Sequence, residues 1–551
     1  MTSTLPTFDP VRGASEPDRF WSTTNTAEAT PRILTPLCWS VWGAGLESAW
    51  LRSMGDFGVL SRREQVMSPD MNQRSTAAIY GRQAVNVDVL RSVLARLPGV
   101  KPDDVERDLL GSVRDGLEPE ASAPRRIPVI MTKLPVALLR LESRFSEMYR
   151  DQAEWWRREV YCGSKDRSVA GQPIELLRDA SRRFGEAMYI HSQVRFLIPA
   201  AEGSVNNAAA RSGVPDLAAR ALRGYGNVAE TQMADALWEI AHGTGSLESF
   251  IETYGFHGPY EGNVFTRSWR EDDAPLRNLI KSYRNRPEMA RPIDRESHSI
   301  TERISAEKEL LAALPPIRRK SVLFMLRRAA GLTRKLELTK AAYLMALDGC
   351  RAAARVLGSD LVARGRLSEC DDVFFLTIDE LDEVLNDTSK DVRGVISFRK
   401  AERHKYEQIT LPVAFTGMPP EDIGFSAAAP ATPTSLIGKA SGGGVVTGTA
   451  RVVTDLNDDV DLGSSDILVC RFTDPSWTPM MALASALVVD IGSQSSHGAV
   501  VARELGITYV IGTDIGTTVI HDGDHLVVDG VTGTVTVDRA RRATDSPRPG
   551  N

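Results

Sequence analysis

Cysteine is scarce in this sequence and widely spaced. The five cysteines are odd in number, and no two of them form a CxxC pair. This pattern excludes a disulfide framework and a zinc knuckle, so we expect no metal site and a reducing, cytoplasmic compartment. The cysteines are Cys38, Cys162, Cys350, Cys370 and Cys470.

Long apolar runs and an excess of basic charge are also missing. No stretch of about 18 consecutive apolar residues occurs, which argues against a membrane-spanning helix. The first 20 residues hold no apolar segment of the kind that a secretory signal needs. The 66 Lys and Arg residues are outnumbered by 72 Asp and Glu residues, which gives a formal net charge of −6. We therefore expect neither nucleic acid nor a membrane as a partner.

Two regions of different residue pattern meet near residue 430. Before it the chain is largely helical, as residues 299–363 show with apolar residues at three- and four-residue spacing. After it come short β-rich runs such as ALVVD and ITYVIG, separated by turns and interrupted by one helical segment. The pattern predicts a multidomain protein in which a large, mainly α-helical domain precedes a small α/β domain.

The composition also predicts where these domains end. Residues 415–444 are rich in Pro, Ala, Ser and Gly and carry no hydrophobic period, which is typical of a flexible linker. We therefore assign residues 1–414 to the helical domain and residues 445–540 to the α/β domain. Residues 541–551 are polar and basic, and we expect them to form a disordered tail.

The stretch GSQSSHGAVVARELGI, residues 492–507, places one of only eight histidines, His497, in front of a predicted helix over 498–505. The first turn of that helix would direct unpaired N–H groups and a positive dipole end towards an anion, which suits a phosphate. An imidazole is also a competent nucleophile for a covalent intermediate. The alternative is a histidine that only caps the helix or packs in the core.

The longer stretch 473–513, TDPSWTPMMALASALVVDIGSQSSHGAVVARELGITYVIGT, resembles the mobile phosphohistidine domain of phosphoenolpyruvate-utilising enzymes. In that family the histidine of a Thr-x-x-Gly-Gly-x-x-Ser-His motif carries a phosphoryl group between distant sites on a swivelling domain. The resemblance implies that His497 and Ser496 are catalytic. It implies a phosphate-holding role for the neighbouring small residues Gly492, Ser493, Ser495 and Gly498. Val489 and Ser493 depart from the motif's Thr and second Gly.

The first region is similar to the helical substrate-binding domains of rifampin phosphotransferases and phenylphosphate synthases. The similar stretches are NTAEATPRILTPLCWS (25–40), GRQAVNVDVL (81–90) and LSECDDVFFLTIDEL (367–381). Aromatic residues near the start, Trp39, Trp42 and Trp50, are candidates to line an apolar substrate pocket, with plain core packing as the alternative.

The loop YGFHGPYEGNVFTRSWRED, residues 254–272, holds two candidate general bases. His257 and Glu261 lie four residues apart where we expect neither a helix nor a core, and either can take the proton of a hydroxyl substrate. The similar families show Gly-His-Arg-Gly here, and an alignment without gaps sets Phe256 against the His and His257 against the Arg. A loop anchored by hydrogen bonds is the other interpretation.

No Walker A motif occurs, and the substrate-domain motifs begin near residue 20, so we expect no ATP-grasp domain and no cofactor bound by this chain alone. In phenylphosphate synthase the ATP-binding part is a separate polypeptide. The resemblance therefore implies a split phosphotransferase acting on a small organic hydroxyl compound, with ATP and Mg²⁺ provided through an ATP-grasp partner. The alternatives are a phosphorylation-driven dehydratase, isomerase or ligase, and a degenerate binding protein that no longer carries phosphate.

Overall fold

The computed structural model describes most of the chain. The described residues are 8–24, 26–110, 112–114, 116, 124–162, 172–226, 229–286, 291–421, 435–440, 444–456, 458, 462–492 and 496–538. They belong to two compact units, of which unit 1 comprises Met1–Phe196, Tyr260–Ser268 and Lys335–Ser426. Unit 2 comprises Leu197–Pro259, Trp269–Arg334 and Ala427–Asn551. Within the described ranges, no helix has the combination of length and apolar character that crossing a bilayer requires.

Helices dominate the chain up to residue 408. In chain order the described α-helices are α1 (Thr26–Ala29), α2 (Pro36–Asp56), α3 (Val87–Leu94), α4 (Pro102–Leu110), α5 (Ile127–Trp155), α6 (Pro173–Ala210), α7 (Pro215–Ala221), α8 (Ala229–Ala241), α9 (Leu247–Tyr254), α10 (Ala274–Arg284), α11 (Pro292–Ala313), α12 (Pro316–Ala363), α13 (Ile378–Asn386), α14 (Arg393–Gln408), α15 (Thr478–Leu483), α16 (His497–Glu504) and α17 (Gly516–Val519). Helix α2 shows why they start where they do, because Thr35 Oγ1 accepts the Cys38 N–H and Pro36 occupies the first turn.

Unit 1 combines helices with one small sheet and a core of aromatic residues. Strands β1 (Phe20–Ser22), β2 (Thr76–Ile79), β3 (Arg82–Asn86) and β4 (Ala414–Thr416) form an antiparallel sheet in the order β2-β3-β1-β4. The Trp42 ring lies 4.9 Å from that of Phe184, and its Nε1 donates to the Gly262 carbonyl at 2.8 Å. Trp42 and Trp50 are buried in this core, whereas Trp39 is half-buried. For Trp42 and Trp50 the structure therefore shows core packing.

Unit 2 contains an eight-stranded sheet. Its strands are β5 (Ser435–Ile437), β6 (Lys439–Ala440), β7 (Val445–Val453), β8 (Asp466–Cys470), β9 (Ala486–Val489), β10 (Thr508–Ile511), β11 (His525–Asp529) and β12 (Thr534–Asp538), in the order β5-β12-β11-β7-β8-β9-β10-β6. The four neighbours β7, β8, β9 and β10 are parallel, and the other pairs are antiparallel.

Both faces of this sheet are buried, which explains its apolar strands. In β8, Ile467 and Val469 belong to one apolar cluster, while Leu468 and Cys470 belong to another that includes residues of α8, α10 and α16. Parallel strands covered on both faces have continuous apolar sequences because successive side chains point to opposite faces. The predicted fold class, a large helical region followed by a small α/β domain, is confirmed.

The element boundaries refine the sequence prediction. Helices α11 and α12 divide the region predicted as helical, with a break at Leu314 and Pro315. Helix α16 starts one residue before the predicted 498. Within the predicted linker 415–444, residues 415–416 belong to β4, residues 435–437 to β5 and residues 439–440 to β6. The linker residues 422–434 and 441–443, and the predicted tail at 541–551, lie outside the described residues, and the domain boundaries at 414 and 540 stay predictions.

Candidate phosphoryl-carrier site

The predicted phosphate site lies at one edge of the sheet in unit 2. Strands β8, β9 and β10 are parallel neighbours, so their carboxyl ends meet at this edge. Hydrogen bonds join the following loops, since the Ile491 N–H donates to the Arg471 carbonyl at 2.8 Å and the Gly512 N–H to the Val489 carbonyl at 2.8 Å. Open α/β sheets bind their ligands outside the carboxyl ends of their strands. The position therefore suits a ligand.

Helix α16 begins at His497 on this edge. The preceding Ser496 is its N-cap, with an extended backbone (φ −70°, ψ 159°), and its hydroxyl makes no capping hydrogen bond. The N–H groups of a first helical turn have no partner inside the helix and carry the positive end of its dipole. Such a turn can hold a phosphoryl oxygen. The imidazole of His497 lies outside the described part of the chain, as do Ser493 and Ser495, so their roles stay predictions.

Gly498 has a packing reason to be glycine. A Cβ atom at this position would lie 2.4 Å from Oγ1 of Thr473, which is 2% exposed in the loop after β8. The Thr473 hydroxyl therefore lies against the first turn of α16. Sequence reasoning included Thr473 in the similar stretch 473–513 but gave it no role, because nothing in the local pattern shows which loop faces the helix. Gly492 lies beside Gly512, where a Cβ would be 3.3 Å from the Gly492 carbonyl oxygen.

We expect Gly498→Ala to destabilise unit 2 by about 1–3 kcal/mol, because the added methyl group overpacks the site. Thr473→Ala removes the opposing hydroxyl, so the double variant should recover a coupling energy of about 1 kcal/mol or more. Urea unfolding of the wild type, both single variants and the double variant measures this coupling. If the two single costs simply add, the contact between Thr473 and Gly498 does not explain the glycine.

Val489 stands where the similar family has threonine, and its side chain is part of an apolar core. It is 1% exposed and belongs to the cluster that contains Leu468, Cys470 and Leu487. Its backbone carbonyl accepts the Gly512 N–H. The departure from the motif therefore coincides with apolar packing of this position.

We expect Val489→Thr to lower the free energy of unfolding by about 1–3 kcal/mol, because it buries a hydroxyl among apolar side chains. Val488→Thr is the matched control, since Val488 is equally buried in the apolar cluster on the opposite face of β9. Denaturant unfolding should give similar losses for the two variants. A Val489→Thr protein as stable as the wild type would contradict this, because the hydroxyl would then have found a polar partner at the site.

Two buried carboxylates near the edge hold its loops in place. Asp474 accepts the Ser476 N–H at 3.0 Å and so caps the 3₁₀ turn Pro475–Trp477. Asp490, directly after β9, accepts the Thr513 hydroxyl at 2.9 Å and both the N–H (3.1 Å) and the hydroxyl of Thr517. Carboxylates used in this way shape the loops around the predicted phosphate position.

His257 and Glu261 are both buried, which corrects the expectation of a loop without a core. His257 is 7% exposed and belongs to unit 2, where its ring lies 4.3 Å from that of Phe256 and 5.9 Å from that of Trp269. Glu261 is 3% exposed and belongs to unit 1. Both residues are thus packed inside the protein. Their roles as general bases stay predictions.

Arg351 anchors the loop that carries Glu261, and sequence reasoning missed it. Arg351 is 1% exposed, and its Nη2 donates to the carbonyls of Glu261 and, at 3.2 Å, of Asn263. In the same loop Tyr260 adopts φ +57°, a strained value for a residue other than glycine. Its hydroxyl accepts from Arg32 Nη2 at 2.7 Å. The strained turn is thus held by contacts from distant parts of unit 1.

The five cysteines are free thiols, and three of them, Cys38, Cys350 and Cys470, are buried. Burial raises the pKa of Cys38 to about 12, so this thiol stays protonated at neutral pH. Burial also raises the pKa of Cys350 and Cys470. Across the residues that the structure describes, no three His, Cys, Asp or Glu side chains form a group able to hold a metal ion.

Comparisons with known protein families agree with this architecture. Residues 462–533 match the family described as PEP-utilising enzyme, mobile domain. Residues 243–336 match the family described as Rifampicin phosphotransferase fourth domain. The resemblance that the sequence motifs indicated is therefore confirmed for these two segments.

Proteins that are similar over a third to a half of this chain point the same way. Rifampicin phosphotransferase of Bacillus cereus is 28% identical over 53% of this chain and 34% of that protein. Rifampicin phosphotransferase of a Streptomyces species is 38% identical over 32% of this chain and 20% of that protein. The prodigiosin synthesizing transferase PigC of Serratia marcescens is 28% identical over 54% of this chain and 34% of that protein. The chain thus spans about a third or less of the length of these relatives.

Proposed function

We propose that this chain, which carries a PEP-utilising enzyme mobile domain, is the substrate-binding and phosphohistidine-carrier component of a split ATP-dependent phosphotransferase. Its substrate is a small organic hydroxyl compound. Helix α16 gives the most direct support, because it begins at His497 on the carboxyl edge of parallel strands and the hydroxyl of its N-cap residue, Ser496, makes no capping hydrogen bond. A histidine there combines a nucleophilic nitrogen with backbone donors for the phosphoryl oxygens.

The proposed reaction has two half-reactions. In the first, a ring nitrogen of His497 attacks a phosphorus atom of ATP, so that an N–P bond forms and a P–O bond of the nucleotide breaks. In the second, the substrate hydroxyl oxygen attacks the same phosphorus, so that an O–P bond forms and the N–P bond breaks. The hydroxyl proton passes to a base, for which His257 and Glu261 are the candidates.

We assign the first half-reaction to a separate ATP-grasp protein, which would bind ATP and Mg²⁺ and dock at the carboxyl edge of the sheet. The resemblance to phenylphosphate synthase, whose ATP-binding part is a separate polypeptide, supports this division of labour. A reducing cytoplasm is the proposed compartment, in keeping with the five free cysteines.

Product analysis tests the proposal. The chain is incubated with ATP, Mg²⁺, a candidate ATP-grasp protein and a panel of alcohols and phenols, and phosphorus NMR follows the products. We expect a phosphate ester of one compound class, formed only when both proteins are present. A dehydrated, isomerised or ligated product with free phosphate would instead identify the alternative reaction on the same scaffold. Ester formation by the ATP-grasp protein without this chain would refute the carrier role.

A further inference from the structure

The far end of helix α16 lies in a cradle of backbone N–H groups. The Glu504 carboxylate accepts the N–H groups of Gly224 (2.9 Å) and Tyr225 (3.3 Å) on Oε1 and that of Gly226 (3.5 Å) on Oε2. Glu504 is 3% exposed. Three consecutive N–H groups that converge on one point form a nest, which is a backbone site for an anion. Here the anion is a side chain from another part of unit 2.

The loop at 224–226 is shaped to present these donors. Gly224 and Gly226 have φ values of +67° and +68°, which residues other than glycine rarely adopt. In addition, a Cβ atom at Gly224 would lie 2.5 Å from the Ser299 carbonyl oxygen. Arg303 Nε donates to the Gly224 carbonyl and Arg334 Nε to the Gly226 carbonyl, each at 3.1 Å. The arginines fix the carbonyls on one side, while the N–H groups meet Glu504 on the other.

Further hydrogen bonds fix the position of helices α10 and α11 against helices α15 and α16. Backbone carbonyls of α15 and α16 accept from side chains of α10, α11 and the segment between them. Three of these carbonyls, those of Ala482, Leu483 and Glu504, lie in the last turn of their helix, where carbonyls have no partner inside the helix. The donor and acceptor pairs are Tyr283 Oη to Pro479 O (2.9 Å), Arg295 Nη1 to Ala482 O (3.2 Å), Arg286 Nη1 to Leu483 O, and Ser299 Oγ to Glu504 O (3.0 Å). Directional bonds of this kind select one docked position, which apolar packing alone would not.

We propose that the Gly224–Gly226 loop is a carboxylate receptor for Glu504. By binding Glu504, the loop holds the α/β domain in the position from which His497 delivers its phosphoryl group, and we call this contact the seat. The assignment rests on the proposed function. The receptor belongs to this chain rather than to the loading partner, so the seated position serves the second half-reaction. Loading requires access by the separate ATP-grasp protein and does not depend on the seat. Glu504 is thus a positioning residue, one helix length away from His497.

Two pairs of variants distinguish loss of the contact between Glu504 and the Gly224–Gly226 loop from a general loss of stability. Glu504→Ala removes the acceptor, whereas Glu504→Gln keeps an amide oxygen for the two N–H groups that contact Oε1. Gly224→Ala disrupts the receptor, whereas Gly243→Ala is its control, because Gly243 has a similar φ of +78° with nothing within 4 Å of the added Cβ. Both glycine variants therefore carry comparable backbone strain, and only one of them lies in the nest.

Hydrogen exchange and single-turnover kinetics are the readouts. We expect Glu504→Ala and Gly224→Ala to speed amide exchange at residues 224–226 and to slow delivery from phosphorylated His497 about tenfold, the effect of about 1.4 kcal/mol. Loading by the partner should change less than about twofold, and Gly243→Ala should behave as the wild type. Glu504→Gln should lie between the wild type and Glu504→Ala, because it keeps the acceptor for two N–H groups but loses the charge and the second acceptor. Unchanged exchange and delivery in Glu504→Ala, or an equal loss of loading and delivery, would overturn the receptor. A wild type that never becomes phosphorylated would refute the proposed function, and the exchange data would still decide whether the seat exists.

Discussion

Replacement of His497 by alanine is expected to abolish phosphoryl incorporation from ATP into this chain. The wild type, supplied with the proposed ATP-grasp partner and with ATP labelled at both the β and γ phosphorus atoms, should take up close to one label per chain. The bond is a phosphoramidate, so the label should survive alkali and be lost in acid. In the proposed reaction His497 supplies the attacking nitrogen, and the backbone donors of α16 cannot replace a nucleophile.

A second histidine of the same domain provides the control for this experiment. The side chain of His521 is 58% exposed and lies between α17 and β11, so His521→Ala should be labelled as the wild type. Equal labelling of wild type and His497→Ala would show that the phosphoryl group is carried elsewhere. No labelling of either protein, with an active partner, would favour the degenerate binding protein suggested by Val489 and Ser493.

Local sequence pattern predicted the elements of this fold well, for a physical reason. The three- and four-residue apolar spacing before residue 363 corresponds to helices α11 and α12, since one face of each helix must be buried. The short β-branched runs after residue 445 correspond to β7 to β12. The Ser496–His497 pair stands at a helix start, as the apolar-rich segment after it indicated. These features depend on neighbours within a few residues.

Contacts between distant segments could not be predicted in the same way. The position of Thr473 against Gly498 follows from the adjacency of β8 and β9, and the nest around Glu504 joins residues 280 positions apart. His257 and Glu261 looked like exposed loop residues because Gly and Pro surround them, yet both are buried. The spacing of apolar residues along the chain does not show which loop packs over which core. Such contacts can therefore be identified only from the structure.

Replacement of Asp490 by alanine is expected to have the largest effect on stability among the residues at the sheet edge. The carboxylate is 3% exposed and accepts from both the N–H and the hydroxyl of Thr517 and from the hydroxyl of Thr513. Its loss would leave the N–H and hydroxyl of Thr517 without this acceptor, whereas the Thr513 hydroxyl also lies 3.2 Å from the Val489 carbonyl. We expect a decrease of about 4 kcal/mol in the free energy of unfolding, since hydrogen bonds to a charged group contribute about 1.5–3 kcal/mol each and do not add fully.

The same change should also slow the loading of His497, because Asp490 joins the loop after β9, which leads to α16, to the loop after β10. Urea unfolding and the initial rate of labelling measure the two effects. Asp522→Ala is the control: that carboxylate is 59% exposed and pairs with Arg451 at 3.1 Å, so its removal should cost less than about 1 kcal/mol. If Asp490→Ala is no less stable than Asp522→Ala but still loads slowly, Asp490 acts on the phosphoryl group itself. If both properties match the control, the loops at this edge are held by their other contacts, and Asp490 does not organise the site.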